Sequence, residues 1–150
     1  MTNVLFVCHG NICRSPMAEF VFKDMVKSAG IDNEFHIESA AVSSEESGNP
    51  VYPPAKKLLA DKGISCSGKK AVKMCYGDYA NYDYIIAMEQ YNIDGIYRIT
   101  GGDPDNKIHL LLDYTERKGD IADPWYTDDF EAAYNDIHEG LEGFLRHLGY

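Results

Sequence analysis

The stretch NVLFVCHGNICRSPM, from Asn3 to Met17, changes character twice along its length. Val4 to Cys8 is an unbroken apolar run rich in β-branched and aromatic side chains, the pattern of a strand buried on both faces. Gly10 and Asn11 break it with residues suited to a tight loop. Ser15 and Pro16 then open a helix: Ser15 has the side chain of an N-cap, and Pro16 suits the first helical position, where a missing amide hydrogen costs nothing. Ala18, Val21, Phe22, Met25 and Ala29 follow at helical spacing, and Gly30 supplies a left-handed residue to end the helix.

The same alternation continues along the chain. Phe35 to Ala41 reads as a second strand, and the polar, proline-containing stretch from Ser43 to Pro54 as a functional loop. A helix is expected from Pro54 to Lys62, closed by Gly63. Tyr84 to Met88 and Ile108 to Leu112 read as buried strands, with Glu89 to Ile99 helical between them. Phe130, Ala133, Tyr134, Ile137, Leu141, Phe144, Leu145 and Leu148 trace one helical stripe, with Thr127 as its N-cap. Short apolar strands alternating with helices argue for an α/β fold, a parallel sheet covered on both faces. At 150 residues with 45% apolar side chains, the chain has room for one compact domain.

Composition narrows the partners. Fourteen basic against twenty-four acidic side chains leave a net charge of -10, which opposes binding to nucleic acid or to an anionic membrane surface. The excess is uneven: residues 1–100 hold twelve carboxylates and ten Lys or Arg, and residues 101–150 hold twelve and four. No apolar run approaches a membrane span. Cys8, Cys13, Cys66 and Cys75 are too few for a disulfide scaffold and form no C-x2-C metal pair, so a cytoplasmic, reducing setting is expected.

Ligands of such a sheet bind at the carboxyl ends of its strands, where Cys8 to Ser15 lie. Amide groups of a tight loop and a helix N-terminus point inward there and form a nest for an oxyanion. No GK[ST] follows, so this is not a Walker A loop. A cysteine at the start of the nest is stabilised as thiolate by the helix terminus and a nearby arginine. Arg14 can hold two phosphoryl oxygens with its planar fork. Cys8 as a small buried hydrophobe and Arg14 as a surface charge is the bland alternative. Strand, Gly-Asn turn and Ser-Pro helix start together favour covalent phosphoryl transfer to sulfur.

Val4 to Met17 closely resembles the opening of the low-molecular-weight protein tyrosine phosphatases. The likeness extends to Glu38-Ser39-Ala40-Ala41, to Asp83-Tyr84-Ile85-Ile86 with Met88, and to Asp123-Pro124-Trp125-Tyr126. The resemblance implies a four-stranded parallel sheet in a single doubly wound domain over residues 1–150. It also implies hydrolysis of phosphotyrosine in proteins or peptides, without metal or cofactor, through a phosphocysteine intermediate. Cys8 matches the nucleophile, Arg14 the phosphate clamp and Asp123 the general acid and base, a role one carboxyl group can fill in turn. His9, Gly10, Asn11, Ile12, Cys13 and Ser15 match the loop around the phosphate.

Other roles stay open at this stage. Ser15 can cap the helix, donate to the Cys8 sulfur, or both. Cys13 resembles the second cysteine that traps an oxidised nucleophile as a disulfide, and is otherwise a packed thiol. Trp125 and Tyr126 either wall the cleft or pack in the core; the resemblance favours the cleft for at least one, and Tyr126 stands where the family has a phosphorylatable tyrosine. Ser39 resembles a member of the family's hydrogen-bonded network, whose histidine has no clear match here, Lys69 being nearest. Two departures concern specificity: His9 stands where an apolar or hydroxyl residue is usual, and Glu45 lies near the place of an aromatic, so clustered acids on a substrate should be repelled. Thioredoxin-coupled arsenate reduction and phosphate binding without turnover are the competing readings; Cys66 and Cys75 fit the relay of the first poorly. A monomer or weak homo-oligomer is expected.

Overall fold

A computed structural model describes residues 1–150. Four strands, β1 (Thr2–Cys8), β2 (Phe35–Ala41), β3 (Tyr84–Ala87) and β4 (Ile108–Leu110), form one sheet in the order β2-β1-β3-β4. All three pairings are parallel. Helices α1 (Arg14–Ser28), α2 (Pro53–Asp61), α3 (Asp78–Asn81), α4 (Gln90–Thr100), α5 (Pro124–Thr127) and α6 (Phe130–His147) occupy the connections and the C-terminus. The expected α/β architecture, a four-stranded parallel sheet between helical layers, is what the chain adopts.

Side-chain alternation along β1 divides the interior into two cores. Val4, Phe6 and Cys8 join Phe22 of α1 and Ile137, Leu141 and Phe144 of α6 in the larger one. Leu5 and Val7 point the other way, into a smaller core with Ile93 and Ile96 of α4. β1 is central, and the strand order reverses beside it, so its carboxyl end opens into the crevice where sheets of this type bind ligands. Cys8 is the residue at that end.

Helix boundaries differ from the sequence expectation in informative ways. Arg14 is the first residue of α1, Cys13 stands at the cap position, and no side chain caps the helix. Ser15 therefore lies inside the first turn and does not cap; its hydroxyl is engaged by the loop. Pro16 falls at the third helical position, whose amide has no intrahelical acceptor in any case. Thr127 does not cap α6. It ends α5, and Asp129 takes the cap, accepting from Ala132 N at 3.0 Å. The cause is Asp128, whose left-handed φ of 58° breaks what would otherwise be one continuous helix. β4 is shorter than expected because Leu111–Tyr114 winds into a 3₁₀ turn, with Leu111 and Leu112 still buried. Gly30 closes α1 as anticipated: Ile31 N bonds Val26 O at 2.9 Å and Gly30 N bonds Lys27 O at 3.0 Å, a Schellman motif.

Candidate active site

The strand ladder runs past β1 and β2 into the loops. Val42 N donates to Cys8 O at 3.0 Å and Ser43 N to His9 O at 3.1 Å, so the start of the loop after β1 is held rigidly against the loop after β2. Asn11 turns the chain with a left-handed φ of 60°, a conformation asparagine tolerates better than other side-chain-bearing residues. The turn brings Asn11 N within 3.3 Å of Cys8 Sγ.

Hydrogen-bond valence fixes the direction of every proton beneath this loop. Val72 N donates to Asn11 Oδ1 at 3.1 Å, so the amide's other end must be Nδ2, which donates to Ser15 Oγ at 2.8 Å and to Ser39 Oγ at 2.9 Å. Ser39 sends its own proton to Glu19 Oε1 at 2.6 Å. Ser15 therefore keeps its proton for Cys8 Sγ, 3.0 Å away, since Ala40 O at 3.5 Å is the poorer acceptor. Ser15 is thus a donor to the sulfur, which stabilises a thiolate. Asn11 and Ser15 are buried and lie under the cleft; they do not line it.

Glu19 is a buried carboxylate that sequence reasoning missed. It is balanced by Lys23 Nζ at 2.6 Å and Lys69 Nζ at 3.4 Å. Lys69 also donates to Ser39 O at 2.9 Å, so the residue nearest in sequence to the family's histidine does sit on the network. A sequence signal existed: Asn11, Ser15 and Glu19 recur every four residues, the spacing of one helix face.

Arg14 is fully buried at the foot of the cleft. Nη1 donates to Ile121 O at 2.8 Å and Nη2 to Glu89 Oε1 at 3.1 Å, with Asp123 Oδ2 3.2 Å from the same nitrogen. Burial alone would favour the neutral form; Cys8, the Glu89 hydrogen bond and Asp123 outweigh it and hold the guanidinium above its ordinary pKa. Glu89 and Ile121 were also missed, although Glu89 directly follows the apolar run of β3, at the strand end where functional groups are expected.

Asp123 reaches the cleft because its segment is stitched to the end of β3. Ile121 N bonds Met88 O at 2.9 Å, and Asp120 Oδ1 accepts from Gln90 N at 2.9 Å. Asp123 Oδ1 then caps α5 by accepting from Trp125 N at 3.0 Å, which pins the carboxylate over Arg14.

The cleft, about 150 Å³, is lined by Cys8, His9, Gly10, Ile12, Cys13, Arg14, Asp123, Trp125 and Tyr126, with Glu45 and Glu46 on its rim. Trp125 packs on Tyr52 at 4.9 Å between ring centroids yet stays half exposed, and Tyr126 is 84% exposed. Both aromatics are therefore cleft walls and not core. His9 Nε2 lies 3.4 Å from Glu45 Oε2. The Cys13 thiol is pushed up to about 12 by burial first, then by the charges of Cys8 and Asp123, so it is a neutral thiol in the same cleft. All four cysteines are free, and Cys66 and Cys75 do not line the cleft.

Comparison with known proteins agrees with this geometry. Residues 3–150 match the family model described as low molecular weight phosphotyrosine protein phosphatase. The chain is 39% identical over 147 residues to low molecular weight protein-tyrosine-phosphatase YfkJ of Bacillus subtilis, covering 97% of this chain and 94% of that one. It is 38% identical over 149 residues to the low molecular weight phosphotyrosine protein phosphatase of Sus scrofa, covering 95% and 93%. The crystal structure of YfkJ superposes with a TM-score of 0.95 at 38% identity, covering 99% of this chain and 94% of that one. That of SP-PTP from Streptococcus pyogenes gives 0.88 at 37%, covering 100% and 95%.

Proposed function

The chain belongs to the low molecular weight phosphotyrosine protein phosphatase family, and from that premise we propose that it hydrolyses phosphotyrosine and aryl phosphates through a phosphocysteine on Cys8. In the first step the Cys8 thiolate attacks phosphorus, the bond to the tyrosine oxygen breaks, and Asp123 delivers a proton to the departing phenolate. Loop amides and the Arg14 fork hold the other phosphoryl oxygens while charge develops on them. In the second step the Asp123 carboxylate takes a proton from water as its oxygen attacks phosphorus. The S–P bond breaks, and Cys8 leaves as a thiolate that accepts from Ser15 Oγ and Asn11 N. Tyrosine and inorganic phosphate are the products.

The observation that carries this reading is convergence: a sulfur at a strand end, a buried arginine and a pinned aspartate meet in one cleft although they come from distant parts of the chain. The substrates are phosphotyrosine proteins or peptides, met by a monomer or weak homo-oligomer in the cytoplasm. No helix of the chain is long and apolar enough to cross a membrane. Turnover of an aryl phosphate in excess EDTA tests the assignment. Activity should persist in EDTA and vanish in Cys8→Ser; full activity in that variant would sink it.

A further inference from the structure

A second depression, about 420 Å³, adjoins the active-site cleft and shares His9 with it. Its floor is a close approach: a Cβ at Gly95 would stand 2.9 Å from Val42 Cβ, so the glycine lets α4 settle against the chain just after β2. Tyr91, Gly95, Arg98 and Ile99 recur at helical spacing and present one face of α4 to this space. Ser43, Ser44 and Lys73 close the opposite side.

The two depressions differ in sign. Glu45, Glu46 and Asp123 border the cleft, whereas no carboxylate lines the neighbouring groove, which holds Lys73 and Arg98 beside His9. Neither Lys73 nor Arg98 forms an ion pair in the structure, and Asp94, one turn before Arg98, accepts from Gln90 Nε2 at 3.2 Å. In a chain of net charge -10, two uncompensated cations facing one groove next to the reaction centre are a local reversal of the overall field. The Ser43 amide bonded to His9 O fixes the groove against the phosphate loop, so an anion held there would keep a set position relative to Cys8.

We propose that this groove is a substrate subsite that takes an acidic side chain, a carboxylate or a second phosphate, lying close in sequence to the phosphotyrosine. The inference rests on the phosphatase reading above and deepens it. A peptide laid across His9 puts its phosphotyrosine in the cleft and its neighbouring acid between Lys73 and Arg98. Acids that do not reach the groove meet Glu45 and Glu46, which line the cleft, Glu45 standing 3.4 Å from His9. The repulsion expected from Glu45 therefore acts at the cleft, the groove relieves it for an acid that reaches Lys73 and Arg98, and the substrate gains a direction.

The test compares matched phosphotyrosine peptides that carry Asp or Ala at each of the flanking positions, with an aryl phosphate as internal reference. Two exposed ion pairs should raise kcat/KM for the peptide with Asp on the groove side about threefold to tenfold. The preference should shrink with added salt and disappear in the double variant Lys73→Glu, Arg98→Glu, while aryl phosphate turnover stays the same. The same acidic peptide without phosphotyrosine, added separately, should not change aryl phosphate turnover. Equal kcat/KM for all peptides in the wild type, a preference that survives the double variant, or an effect of the separate peptide would each overturn the subsite. Loss of aryl phosphate turnover in the wild type itself would instead overturn the phosphatase reading.

Discussion

Asn11 has a single side-chain amide, and its orientation decides which proton reaches the Cys8 sulfur. Val72 N fixes Oδ1, Nδ2 faces two serines, and Ser15 is left to donate to Cys8. None of this chain beyond Cys8, Asn11, Ser15 and Ser39 was readable beforehand, because Glu19, Lys69 and Val72 come from elements whose juxtaposition only folding creates. The roles of Asp123 and Cys13 yield direct predictions. Replacing Asp123 with Ala removes the proposed proton donor, so kcat for phenyl phosphate should fall about 10²-fold to 10³-fold. An activated nitrophenyl ester, whose leaving group needs less help, should lose far less. An equal loss for both would mean that Asp123 acts only through its ion pair with Arg14. Burial first pushes the Cys13 thiol up, and then any negative charge on Cys8 raises it further. Oxidation of Cys8 by peroxide to the uncharged sulfenic acid removes that effect and eases attack by Cys13, which forms the disulfide and releases water. After brief peroxide treatment and then a thiol reductant, the wild type should regain most of its activity and Cys13→Ser several-fold less. Equal recovery would leave Cys13 a packing residue.

At the scale of elements, periodicity was a good guide to which segments are helix or strand and a poor guide to where they stop. The β1 run, the α6 stripe and the closing glycines are local signals, and the structure follows them. Ser15 and Thr127 are good caps by type, yet the loop after β1 claims the first and the left-handed Asp128 isolates the second. Helix starts here are decided by the site, since both Cys13 at the head of α1 and Asp123 at the head of α5 face the cleft. Close packing is equally invisible in a sequence. A Cβ at Gly143 of α6 would overlap the Tyr114 carbonyl, and one at Gly140 would lie 2.5 Å from Leu111 Cγ. Gly143→Ala should therefore destabilise the protein by about 1–3 kcal/mol in chemical denaturation, even though alanine is the better helix former by about 1 kcal/mol. A stabilised variant would show that α6 can move away from the turn after β4.

For the whole molecule, the parallel sheet does the assembling. Its strand order opens a crevice at the end of β1, and three segments far apart in sequence deliver Cys8 with Arg14, Glu89, and Ile121 with Asp123 to that one place. Cys8, Arg14 and Asp123 were legible because motif and resemblance marked them, whereas Ile121 was not. Glu89 was not, because an acidic residue after a strand carries no motif of its own. The charge excess in the last third of the chain was also legible, but its spatial counterpart, a cationic groove beside an acidic rim, was not. The central claim is that phosphate passes through sulfur on Cys8. Rapid mixing with an aryl phosphate, acid quench and peptide mass analysis tests it most directly. One phosphoryl group should appear on the peptide that contains Cys8, at up to one per chain, and be absent from Cys8→Ser. Turnover with no phosphoryl group on that peptide, or with the group on another residue, would contradict the account.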